Sequence, residues 1–103
     1  MAKKYRLRYL PLFEQDMTAV RNYLTVKLQN PQAADHLVEE TERAIQKRLY
    51  APESFQIYPS KRKRIYPYYR IGVKNYSVFY VVIDGVMEVR RFLYSRRNLQ
   101  DLL

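Results

Sequence analysis

The sequence predicts an α+β fold of two layers. An N-terminal strand and an antiparallel helical hairpin precede a mostly antiparallel sheet of about four strands, and the hairpin packs on that sheet. Three observations carry this prediction. Two helical stripes of apolar residues follow each other across a short Asn-Pro break. Three strand-like runs then follow in close succession. The last two are joined by Asp84-Gly85, a strong two-residue hairpin signal.

The elements read in order. Residues 4–9, KYRLRY, alternate, with Tyr5, Leu7 and Tyr9 on one face and Lys4, Arg6 and Arg8 on the other, as in a strand with one wet face. Pro11 suits a first helical turn, where its missing N–H is not needed. Phe13, Met17, Val20, Leu24 and Leu28 then form one stripe, predicting an amphipathic helix over 12–29. Asn30 is a fitting N-cap and Pro31 a fitting first residue of a second helix. Its stripe is Ala34, Leu37, Thr41, Ala44, Ile45 and Leu49, and Pro52 closes it. Residues 53–67 lack a period and read as a surface loop. Strands are expected at 68–73, 76–83 and 86–94, the middle one nearly all apolar and so covered on both faces. Ser95 is a candidate cap for a short final helical turn carrying Leu99, Leu102 and Leu103. The 103 residues make one domain.

Charge divides the chain. Residues 1–60 carry nine basic and seven acidic side chains, whereas residues 61–103 carry ten and three. The C-terminal half therefore expects an anionic partner, either nucleic acid or an acidic protein. With no cysteine, disulfides and thiolate zinc sites are excluded. No metal or other cofactor is called for. The N-terminus lacks a signal-peptide apolar core, and no window approaches a membrane span. The expectation is a cytoplasmic protein without a membrane partner. His36, early on the second helix, reads as a surface or packing residue.

The stretch YYRIGVKNYSVFYVV, then DG, then a last strand running into RRFLYSRRN, resembles the RelE/ParE superfamily, the toxins of type II toxin–antitoxin systems. The resemblance spans nearly the whole chain, and the helical hairpin opened by NPQAA is similar to the ParE branch. It implies a growth-inhibiting toxin held inactive by a cognate acidic antitoxin. RelE-like members cut mRNA on the ribosome, whereas ParE-like members inhibit DNA gyrase. The reading favoured here is ribosome-dependent mRNA cleavage by a metal-independent endoribonuclease. The alternatives are a gyrase inhibitor acting by binding, or a degenerate toxin that only binds its antitoxin.

Under this resemblance the candidate catalytic residues are Arg70, Tyr94 and Arg96. Arg70 and Arg96 would grip phosphate, and Tyr94 would position the substrate. Candidate nucleic-acid contacts are Lys61, Arg62, Lys63, Arg64, Lys74, Arg90 and Arg97. The match is partial. Gly72 and Ser77 stand where further basic residues are expected, Leu102 stands near the place of a catalytic Tyr, and Tyr94 replaces a His found in many relatives. Alternation in the last strand puts Arg90, Phe92 and Tyr94 on one face and Arg91 on the other. Arg70, Tyr94 and Arg96 are expected to converge on one concave surface of the sheet.

Overall fold

The computed structural model describes residues 4–60, 63–97 and 99–103. Strand β1 (Arg6–Tyr9) leads into helix α1 (Pro11–Asn22), which has Pro11 at its start. A π-helical turn, Tyr23–Lys27, prolongs α1. Gln29 then ends the helix in the left-handed region at φ 50, and the Asn30 N–H returns to the Leu24 carbonyl at 2.9 Å. The wider π turn rotates the expected stripe. Leu24 still packs on the core, but Leu28 is 54% exposed.

Helix α2 (Pro31–Arg48) starts as its sequence demands, with the Asn30 side chain accepting the Ala33 N–H at 3.1 Å. Its buried positions are Ala34, Leu37, Thr41 and Ile45. His36 is exposed on the opposite side.

Strands β2 (Tyr69–Val73), β3 (Tyr76–Ile83) and β4 (Val86–Tyr94) form an antiparallel meander, and β1 adds parallel to β4. The spatial order is β1-β4-β3-β2. The sheet is mixed, and α1 and α2 lie on one face, giving the expected two-layer α+β architecture. The turn between β3 and β4 holds both Asp84 and Gly85 at positive φ, 50 and 77.

The main core lies between the helices and the sheet. It joins Phe13, Leu37 and Ile45 to Ile71, Val78, Tyr80, Met87, Val89 and Phe92. A second cluster covers part of the other face, where Tyr68, Phe79, Val81 and Leu93 pack with Leu99 of the short C-terminal helix α3 (Leu99–Leu102). Both faces of β3 are thus covered, which explains its almost unbroken apolar run.

One irregularity re-aims a side chain. Phe79 pairs with Arg91 but Tyr80 pairs with Val89, so Arg90 is the extra residue of a β-bulge. Simple alternation fails there. Arg90 does not share a face with Phe92: it bonds Glu88 at 2.8 Å and lies over the Tyr68 ring, whereas Phe92 packs against Phe13. Among the described residues, no helix is long and apolar enough to cross a membrane.

Candidate functional site

Arg70 is the second residue of β2, an edge strand. Its neighbours Tyr69 and Ile71 are buried in the helix-side core, so alternation turns Arg70 to the other face. There its Nε donates to Ser77 Oγ at 2.7 Å. Ser77 Oγ lies 2.7 Å from Ser95 Oγ, and Arg70 Nη2 reaches 3.5 Å from the same Ser95 oxygen. Ser77 is fully buried.

Gly72 is paired across the strands with Ser77, and the Arg70 guanidinium lies beside it. A Cβ at Gly72 would stand 3.7 Å from Arg70 Nη2, in ordinary contact. The small residues at 72 and 77, which depart from the expected basic pattern, therefore house the side chain of Arg70. Ser95 is held in turn by its own N–H, which donates to the Asn75 carbonyl at 2.8 Å. The arrangement is a guanidinium braced by two hydroxyls at the sheet edge, suited to receiving an oxyanion.

Tyr94 is not part of this group. Its ring lies 5.6 Å from that of Tyr76, which stacks on Phe92 at 5.0 Å. Tyr94 and Tyr76 each immediately precede a serine of the Arg70 cluster, so they face the opposite side of the sheet. The expected convergence of Arg70, Tyr94 and Arg96 on one surface does not occur. Arg96 and Arg97 are exposed on the turn after β4, closed by the Arg97 N–H to the Tyr94 carbonyl at 3.1 Å. Burial raises the Tyr76 hydroxyl pKa above 10.0, with Tyr94 adding to the shift.

The remaining basic candidates are dispersed. Lys61 and Arg62 lie outside the described residues. Lys63 is exposed. Arg64 bonds the Leu103 carbonyl and Ser60 Oγ, and its guanidinium covers the Tyr68 ring at 4.7 Å. Lys74 pairs with Glu40 at 3.7 Å. Arg90 and Arg8 share the largely buried Glu88, at 2.8 and 3.4 Å. Leu102 contributes a carbonyl to Arg91 Nη1 at 3.3 Å, and its side chain packs on the cluster beneath α3.

Sequence reasoning missed two groups. The hydroxyls of Ser77 and Ser95 had one signal, a lone polar residue inside an apolar strand. The second is Asp16, which clamps Arg91 through both carboxylate oxygens at 2.8 and 3.0 Å and accepts the Phe92 N–H at 3.0 Å. The hydrogen bond to Asp16 raises the Arg91 pKa against the opposing effect of burial. Nothing local in the sequence links residues so far apart. Among the described residues, no cluster of three or more His, Cys, Asp or Glu could hold a metal ion.

Comparison with known proteins places these features in a family. A family model described as the ParE toxin of type II toxin-antitoxin system, parDE, matches residues 7–99. A chain from the chromosomal ParDE TA system of P. aeruginosa superposes with a TM-score of 0.74 at 14% identity, covering 89% of this chain and 97% of that one. A chain from the archaeal RelE-RelB complex of Pyrococcus horikoshii OT3 superposes with a TM-score of 0.60 at 17% identity, covering 91% and 98%. At such identities the two likenesses concern the fold. No curated protein matches the chain.

Proposed function

This chain belongs to the ParE toxin family of type II toxin–antitoxin systems, and from that membership we propose that it arrests growth by binding a protein target, DNA gyrase, and is neutralised by a cognate acidic antitoxin. The observation that carries the binding mode is the separation of Arg70 and Tyr94 on opposite faces of the sheet. Metal-free RNA cleavage needs groups that activate the 2′-hydroxyl, stabilise phosphorus and protonate the leaving oxygen around one point. Among the described residues, Arg70 has two serines and no acid–base partner beside it. A binding toxin needs no such convergence. The far end of the hairpin also offers apolar surface for a protein contact, with Tyr23, Val26 and Leu28 at least half exposed.

An antitoxin partner is supported by the two structural relatives, one from a ParDE system and the other from a RelE-RelB complex. The formal net charge of +9 favours an acidic one. Ribosome-dependent mRNA cleavage is the second reading. It draws on Arg70 as a braced oxyanion ligand and on the basic excess of residues 61–103.

Expression from a tightly controlled promoter separates the two. Gyrase inhibition predicts the DNA-damage response with intact bulk mRNA. Rapid mRNA loss with translation arrest before any DNA damage would overturn the gyrase reading in favour of the second. Absence of a growth defect would overturn both and leave a chain that only binds its antitoxin.

A further inference from the structure

The C-terminal end of α2 and the residues leading into β1 border a groove of about 720 Å³. That volume lies within the roughly 300–1,000 Å³ usual for small-ligand sites. Tyr5, Leu49 and Tyr50 give the groove apolar walls, and Lys4, Arg43 and Lys47 line it with exposed cationic side chains. Leu49 packs partly on the main core, which anchors the groove to the fold. The Tyr5 hydroxyl donates to Glu53 Oε1 at 3.0 Å, which fixes one aromatic wall. The other wall is uncovered. Tyr50 is 84% exposed, and no ring or hydrogen-bond partner meets its side chain among the described residues.

The charges in the groove are one-sided. Among the described residues, no Asp or Glu lines it. Neither Lys4, Arg43 nor Lys47 has an ion pair among the described residues, whereas Lys74 further along α2 is paired with Glu40. Arg43 and Lys47 are four residues apart on one helix, so they are neighbours on its surface and repel each other. An anion between them relieves that repulsion. The last carbonyls of α2 oppose an anion with about half a charge, which the three cations outweigh.

We propose that this groove binds a small organic anion with an apolar body. Its carboxylate or phosphate lies between Arg43 and Lys47, and its body covers Tyr50 and Leu49. A bare anion would leave the tyrosine ring uncovered, and an uncharged tail would leave the two cations unpaired. The groove shares no residue with the Arg70 cluster and owes nothing to the toxin reading.

The test uses the full-length chain with backbone nitrogen labelled, titrated at equal ionic strength with decanoate and separately with adenosine monophosphate. Saturable shifts are expected at the amides of Arg43, Lys47, Leu49 and Tyr50 and not at those of Arg70 and Ser95. Saturation by decanoate names an aliphatic acid as the ligand class, and saturation by the nucleotide an aromatic phosphate. Decanol, which lacks the charge, and inorganic phosphate, which lacks the body, are expected to bind at least about tenfold more weakly than whichever amphiphile saturates. Tyr50→Ala is expected to weaken binding about three- to tenfold, and Tyr50→Phe, which keeps the ring, to restore it. Arg43→Gln is expected to weaken it about two- to fivefold. These side chains are exposed, so the fold is not at stake. No saturable binding by either amphiphile would overturn the proposal, as would inorganic phosphate or decanol binding equally well. Parent affinity in both Tyr50→Ala and Arg43→Gln would overturn it too. An oligouridylate that binds more tightly than the mononucleotide and also shifts Lys74 would make this a polynucleotide track and overturn it.

Discussion

At the scale of single residues, Tyr80 shows what a hydroxyl does once its ring is buried. The side chain is fully buried and stacks on Tyr69, with centroids 5.2 Å apart. Its hydroxyl donates to the Pro52 carbonyl at 2.7 Å and accepts from Arg48 Nη1 at 3.0 Å. That oxygen fastens the loop after α2 to the sheet. Tyr80→Phe keeps the ring but strands a buried carbonyl, so it should cost about 1–3 kcal/mol. Thr41 is the contrast. It is equally buried, but its Oγ1 donates to the Leu37 carbonyl, which the helix already provides for. Thr41→Val orphans no partner and should stay within about 0.5 kcal/mol of the parent. Urea denaturation of the two variants checks both values. A Tyr80→Phe midpoint equal to that of the parent would show that the loop is held by something else. The sequence marked Tyr80 as core through strand patterning. It could not supply Pro52 as partner, because loop closure across 28 residues leaves no local trace.

At the scale of elements, what was legible is what repeats locally. The Asn30 cap and the Asp84-Gly85 turn appear where side-chain chemistry requires them. The π turn at Tyr23–Lys27 and the bulge at Arg90 were not legible, and both break a period by one residue. Such a slip changes which way every later side chain points, so it moved Leu28 and Arg90 from their expected faces. The two glycines separate backbone need from space. Gly85 has φ 77 with nothing near a Cβ, so Gly85→Ala meets only left-handed strain, about 1–2 kcal/mol. Gly72 is not in the left-handed region, and its Cβ would make ordinary contact with Arg70 Nη2. Gly72→Ala should therefore shift stability by less than about 0.5 kcal/mol. Thermal unfolding of both variants decides it. A larger loss in Gly72→Ala than in Gly85→Ala would mean that the guanidinium cannot move aside.

For the whole molecule, the fold followed from composition and order because each element announces its own period. The candidate site did not, because it depends on which residues face each other across β2, β3 and the turn after β4. The same assembly concentrates tyrosines on the helix side of the sheet. Tyr9, Tyr69, Tyr76 and Tyr80 pack in one core, and burial is the largest cause raising each hydroxyl above the ordinary 10.0. For Tyr80 the nearby Arg48 works in the opposite direction without reversing the shift. The sign for stability follows. Above pH 10 the unfolded chain gives up tyrosine protons that the native chain keeps, so the native state holds more protons. Stability is fully present below pH 10 and is lost as pH rises through the raised native values. Urea midpoints should accordingly be level from neutral pH to about 9.5 and fall beyond about 10. Tyrosinate absorbance in the native chain should lag that of the urea-unfolded chain over the same interval. Tyr80→Phe should reduce the steepness of the fall, since it removes one of the linked tyrosine protons. A stability profile flat through pH 11, or native tyrosines ionising together with the unfolded ones, would mean that these rings are open to solvent and that the helix-side core is not closed over the sheet.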